Sequence, residues 1–183
     1  IMGRIEVICG PMFSGKSEEL LRRLKRADIA KRKSQLFKPE CDKRYSETEV
    51  ATHSGKKRKC EIVEKDREEE ILKAVYSDTE VVALDEAQFF GDYILEVVSA
   101  LSRANKRVIV AGLDMDSSGA PFGYMPELLA IAEDITKLTA VCEICGEPAT
   151  HSYRKAKSKD TVLVGAAEMY EARCRTHWQH GQE

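Results

Sequence analysis

Eight consecutive residues, Gly10-Pro11-Met12-Phe13-Ser14-Gly15-Lys16-Ser17, match the phosphate-loop pattern G-x-x-x-x-G-K-[ST] at every fixed position. In such a loop, successive backbone N–H groups and the start of the following helix surround anionic phosphates. Lys16 then reaches the β and γ phosphates of a nucleoside triphosphate such as ATP, and the Ser17 hydroxyl ligates magnesium. The metal needs a carboxylate as well, and Asp85 stands where one belongs, directly after the apolar run Val81-Val82-Ala83-Leu84. Glu86 follows it. A second carboxylate there is either the base for an attacking hydroxyl, which makes a kinase, or a group that positions water, which makes an ATPase. The plain alternative is a surface acid at the start of a helix.

A second constellation lies toward the other end. Cys142-x-x-Cys145 and Cys174-x-x-His177 offer three thiolates and one imidazole, the closed tetrahedral set of structural zinc. One ion bridges the two knuckles in this reading, with His177 the ligand most easily replaced by an ordinary surface histidine. The connection between the pairs is longer than in compact zinc fingers, which leaves it available for another role. Redox use of the C-x-x-C pair is disfavoured, because no thioredoxin-like strand and helix surround it. Cys9, Cys41 and Cys60 stand alone and read as small apolar residues.

These groups need a frame, and the hydrophobic pattern supplies one. Residues 4–9 read as a buried strand running through the glycine-rich turn into an amphipathic helix over 17–33. A short strand over 35–38, closed by Pro39, comes next, and residues 40–59 read as a long loop with little periodicity. A helix over 67–76, the strand 81–84, a helix over 92–105 and a strand over 107–113 complete an alternating order. Such alternation implies an α/β fold with a mostly parallel sheet, helices on both faces and ligands beyond the carboxyl ends of the strands. From about residue 140 the pattern changes to short cysteine-bearing hairpins, with a strand over 162–164. This gives an ATP-binding domain over 2–140, a zinc-binding domain over 141–178 and a tail over 179–183.

Composition limits the alternatives. Of 183 residues, 43% are hydrophobic and 33% charged, which is a globular balance with room for one core. A net charge of -2 argues against a chain that wraps nucleic acid. The basic runs Lys31-Arg32-Lys33 and Lys56-Lys57-Arg58-Lys59 read as solvated faces, open to substrate phosphates. No run approaches the roughly 18 apolar residues that cross a bilayer, and no secretory leader is visible, so the expected location is cytoplasmic, with no membrane partner.

Taken together, these features resemble the cytosolic-type (type II) thymidine kinase family across nearly the whole chain. The phosphate loop, Asp85-Glu86-Ala87-Gln88-Phe89-Phe90, Pro121-Phe122-Gly123, the two zinc knuckles and Tyr170 fall in family order. The resemblance implies a phosphate-loop, recombinase-like α/β fold with a small zinc domain carrying a lasso loop. It makes Glu86 the base for the nucleoside 5′-hydroxyl and Asp85, Glu86, Ala87 and Gln88 the nucleotide and magnesium segment. Asp42 and Arg44, with Lys43 between them, match a group associated with the triphosphate. Thr161, Val162, Leu163, Val164 and Gly165 with Tyr170 become the lasso over thymidine, and Met12, Leu113 and Phe122 the walls of the base. Ser152 matches a small hydroxyl residue near the base edge. Ser117 departs from the pattern, standing where an aromatic residue is expected, so stacking falls to Phe122 and Tyr170. ATP, Mg2+ and structural Zn2+, a homotetramer and feedback by thymidine triphosphate (dTTP) are implied in the same way. The competing readings are a recombinase-like ATPase whose zinc module binds DNA, and a nucleotide-sensing module without catalysis.

Overall fold

The computed structural model describes residues 2–40, 49–51, 55, 57–155 and 169–182. Six strands form one sheet: β1 (Arg4–Cys9), β2 (Ser34–Pro39), β5 (Glu61–Val63), β6 (Val81–Leu84), β7 (Arg107–Gly112) and β8 (Asp134–Lys137). Their order is β5-β2-β6-β7-β1-β8, and every pairing is parallel. The central strands β1, β6 and β7 are near-continuous apolar runs because both faces of a parallel sheet are covered.

The cover on one face is α1 (Lys16–Ile29), whose Leu20, Leu21, Leu24 and Ala27 fall on one stripe at helical spacing and are buried. They pack on Ile8, Ala83, Ile109 and Ala111. On the other face, α3 (Ile94–Arg103) buries Ile94, Val97, Val98 and Leu101, and α4 (Met125–Ile131) adds Met125 and Leu128. The shorter α2 (Glu69–Ala74) contributes Ile71. Buried Glu6 on β1 ties α1 to the sheet, accepting from Arg23 of that helix at 3.0 Å and from Arg107 of β7 at 3.0 Å. Burial pushes the Glu6 carboxyl up, but Arg107, Arg4 and Arg23 outweigh it and hold the group below the usual carboxylate range.

The expected α/β frame is present; helix α4 was not expected from the sequence, and there are three further differences. Residues 40–59, read as loop, contain an antiparallel pair, β3 (Glu49–Ala51) with β4 (Lys57–Lys59). Arg58 in that pair meets Asp28 at 2.7 Å and Ser34 at 2.7 Å, so part of the basic run is tied down. Strands β5 and β8 were not legible in the hydrophobic pattern. Residues 179–182, read as tail, continue the last helix, α5 (Arg175–Gln182).

Beyond the sheet, β9 (Ala140–Val141) pairs with β10 (Pro148–Ala149), and β11 (His151–Arg154) pairs with β12 (Tyr170–Arg173), both antiparallel. The buried cluster of this lobe is Ala140, Cys142, Ala149 and Ala172, with Cys174 against it. So few and such small residues give little hydrophobic stabilisation, and a bound metal is the usual substitute. Among the described residues no helix is long and apolar enough to cross a membrane. Residues 162–164, expected as a strand, lie outside the described residues.

Candidate active site and metal centre

The phosphate loop leaves β1 and opens α1 at the carboxyl edge of the sheet. Gly15 precedes α1 in the left-handed conformation and no side chain caps the helix, so its first amides are left to an anion. Lys16 Nζ donates to Pro11 O at 2.6 Å. Burial lowers its pKa to about 8, against the raising effect of Asp85, Asp114, Cys9 and Glu86. A buried ammonium in this position gains most when phosphate oxygens replace the lost water.

Ser17 Oγ donates to Asp85 Oδ2 at 2.9 Å, joining the first turn of α1 to the end of β6. Asp85 is 4% exposed, and burial raises its pKa, opposed by the Glu86 amide, the Ser17 hydroxyl and Lys16. The hydroxyl and the carboxylate are the hard oxygen pair that a magnesium ion takes in phosphate-loop proteins, and their separation suits one ion. Glu86 is exposed and left-handed at φ +50, an uncommon backbone for a residue with a side chain. Such strain persists where the surroundings enforce it, commonly at functional positions. Here it turns the chain from buried Asp85 into the short 3-10 turn Ala87–Phe89.

That turn buries Ala87 and Gln88. Gln88 Oε1 accepts from Leu113 N at 3.0 Å, tying the ends of β6 and β7 together. Phe89 meets Phe122 edge-on, ring centres 5.4 Å apart. Met12 N donates to Ser152 Oγ at 3.0 Å, and Ser152 is 5% exposed, so the small lobe touches the phosphate loop directly. Tyr170 is buried on β12, opposite Arg154 of β11. Ser117 lies at the tip of the segment after β7, its carbonyl accepting from Trp178 Nε1 at 3.1 Å.

Contacts thus join the phosphate loop to Asp85 and to Ser152, Gln88 to Leu113, and Phe122 to Phe89. Asp42, Lys43, Arg44, Thr161, Val162, Leu163, Val164 and Gly165 lie outside the described residues. Sequence reasoning missed Asp114, which is 9% exposed, pairs with Lys137 Nζ at 2.9 Å and acts electrostatically on Lys16. Its signal was available: it closes the apolar run of β7 much as Asp85 closes that of β6.

The metal-ligand candidates Cys142, Cys145, Cys174 and His177 come together, with ligand atoms all within 4.8 Å of one another. Cys145 Sγ and Cys174 Sγ are 3.8 Å apart, and His177 Nδ1 lies 3.9 Å from Cys142 Sγ and 3.2 Å from Cys174 Sγ. A tetrahedral ion with bonds of about 2.0 to 2.3 Å has ligand separations of about 3.3 to 3.8 Å, so both donor set and spacing fit zinc. The first knuckle is a tight turn in which Gly146 N donates to Cys142 O at 2.8 Å. Burial pushes the Cys142 thiol up, yet the N–H groups of Cys174, Cys145 and Ile144 outweigh it and bring it to about 6. The thiolate that zinc requires is thereby favoured.

Residues 3–178 match the protein-family model described as thymidine kinase, a span that includes the phosphate loop and all four candidate zinc ligands.

Proposed function

Because this chain belongs to the thymidine kinase family and is therefore a phosphotransferase, we propose that it moves the γ-phosphate of ATP to the 5′-hydroxyl of thymidine. The products are thymidine 5′-monophosphate and ADP. The observation that carries the reading is exposed Glu86 directly after Asp85, whose carboxylate is joined to Ser17 at 2.9 Å. That sequence sets a solvent-facing base beside the residues suited to the triphosphate and its metal.

Phosphoryl transfer of this kind needs alignment and charge neutralisation and no covalent intermediate. The loop amides and Lys16 hold the β and γ phosphates, with Arg44 adding positive charge. Ser17 and Asp85 would hold a magnesium ion, which when bound would supply charge neutralisation at the phosphate oxygens. Glu86 accepts the proton of the 5′-hydroxyl as its oxygen attacks phosphorus in line and the bond to the bridging oxygen of ADP breaks. Met12, Leu113 and Phe122 wall the base, Ser152 and Tyr170 border it, and residues 161–165 enclose it. Deoxyuridine is a weaker alternative substrate, because a pocket discriminates only modestly over one methyl group.

The reading assigns ATP binding to residues 2–140 and zinc with nucleoside enclosure to 141–178. A cytoplasmic salvage role, a homotetramer and inhibition by dTTP accompany it. The test is a coupled ADP assay with each nucleoside in turn. Thymidine-dependent ADP release is expected; release at the same rate without nucleoside points to an ATPase and overturns the proposal.

A further inference from the structure

Trp178 is the single tryptophan of the chain and sits on α5 immediately after the candidate zinc ligand His177. Its amide donates to Cys174 O at 2.9 Å, so its backbone is fixed by the second knuckle. Its side chain meets the segment that follows β7. The indole Nε1 donates to Ser117 O at 3.1 Å. Gly119 lies against the same ring, so close that a Cβ there would come within 2.8 Å of Trp178 Cη2. The His151 ring is 4.7 Å away, supporting the indole from β11.

The segment that Trp178 holds is a small hairpin. Its stem is the bridge between Met115 and Pro121, and Asp116 Oδ1 organises the tip by accepting from Ser118 N at 2.9 Å and Ala120 N at 3.1 Å. Its root is anchored to the sheet, where Gln88 receives Leu113 N and Phe122 N donates to Asp114 O. Root and tip are therefore held by different parts of the molecule. The two residues that wall the base in the proposed function, Leu113 and Phe122, flank this hairpin.

We propose that Trp178 is a positioning residue for the nucleoside: it latches the tip of the 114–122 hairpin to the metal-bound helix, so that metal occupancy sets the wall of the base. The role rests on the kinase reading of the site, but the latch itself does not. The indole occupies the tip where Ser117 offers only a backbone carbonyl. It acts through the hairpin and not on the reacting atoms, so its loss weakens nucleoside binding more than phosphoryl transfer.

The test uses the full zinc-loaded chain and two variants. Trp178→Phe keeps a ring but removes the N–H donor, and Trp178→Ala removes both. Hydrogen exchange at amides 114–122 reads the latch without any substrate and should quicken in both variants, more in Trp178→Ala. Thymidine KM should rise about 3- to 10-fold in Trp178→Phe, the scale of one lost hydrogen bond, and further in Trp178→Ala. ATP KM and zinc content should stay at unmutated values. In the unmutated chain, the emission of Trp178 should change saturably with added thymidine, and zinc removal should quicken exchange at 114–122. Unchanged exchange in Trp178→Phe and Trp178→Ala overturns the latch. Faster exchange with unchanged thymidine KM, or an equal rise in ATP KM, overturns the positioning role. Absence of thymidine-dependent ADP formation in the unmutated chain is instead the failure of the kinase reading.

Discussion

The Met12 amide donates to Ser152 Oγ at 3.0 Å, joining the phosphate loop to a lobe that lies far along the chain. Ser152→Ala leaves that N–H without its acceptor. Since the contact is only partly buried, the expected loss of stability is about 1 kcal/mol. Ser152→Thr, which keeps the hydroxyl, should restore most of it. Urea denaturation of the two variants checks this, and equal midpoints would show that the contact carries nothing.

Lys16→Ala should abolish turnover while circular dichroism stays unchanged, because the side chain serves phosphates and no core contact. The intact residue has a pH signature. With its pKa lowered to about 8, Lys16 is charged below that pH and neutral above it. Only the charged form attracts phosphate, so ATP KM should be flat on the acid side and climb above about pH 8, at most tenfold per pH unit. A profile that stays flat to pH 9.5 would contradict the assignment.

Glu86→Gln keeps shape but cannot take a proton. A fall in kcat toward the lower end of about 100- to 10,000-fold is expected, since a loose transition state asks little of a base. ATP affinity should change little, placing the loss in kcat and not in KM. An unmutated rate of thymidine phosphorylation would rule out this base.

Zinc should be present at one ion per chain by elemental analysis. Its removal should open residues 142–177 to proteolysis and weaken thymidine binding more than ATP binding, because the lobe has so little apolar core of its own. Cys145→Ser should act in the same direction. Unaltered thymidine affinity in that variant would sever the metal from the nucleoside side.

Gly123 has φ +51, and a Cβ there would come within 2.3 Å of Gln88 O. Gly123→Ala therefore meets both a left-handed backbone and a collision with the turn that carries Gln88. A destabilisation of about 1 to 3 kcal/mol is expected from the backbone strain alone. Thermal unfolding measures it, and a gain in stability would show that the turn yields freely.

What the sequence revealed was local. The phosphate-loop pattern occupies eight adjacent residues, Asp85 and Glu86 end an apolar run, and each candidate metal-ligand pair is a spacing of three, so residue type alone was enough to single them out. The parallel sheet was legible where its strands are buried on both faces. Its edges were not. Strand β8 exposes Ile135 and among the described residues pairs only with β1, far back along the chain, so its own periodicity is empty. The β3 and β4 pair is three residues a side and is held by α1 through Arg58, again a distant partner. Glu68 looks like an ordinary acid before a helix, yet it is fully buried and accepts from Asp66 N and Gly91 N to hold the turn after β6. Trp178 binds a carbonyl, and a carbonyl carries no residue signature.

The sheet order has a consequence for how the molecule is made. β1 lies between β7 and β8, and Arg4 finds its register opposite Arg107. On a ribosome adding roughly 5 to 20 residues per second, β1 waits about 5 to 20 s for its first neighbour, its apolar face without a partner strand. The phosphate loop is thus shaped well after it is translated, once about 100 further residues have followed it. Nascent chains halted before β7 should remain with the chaperones that hold apolar segments, and nucleotide should not rescue them.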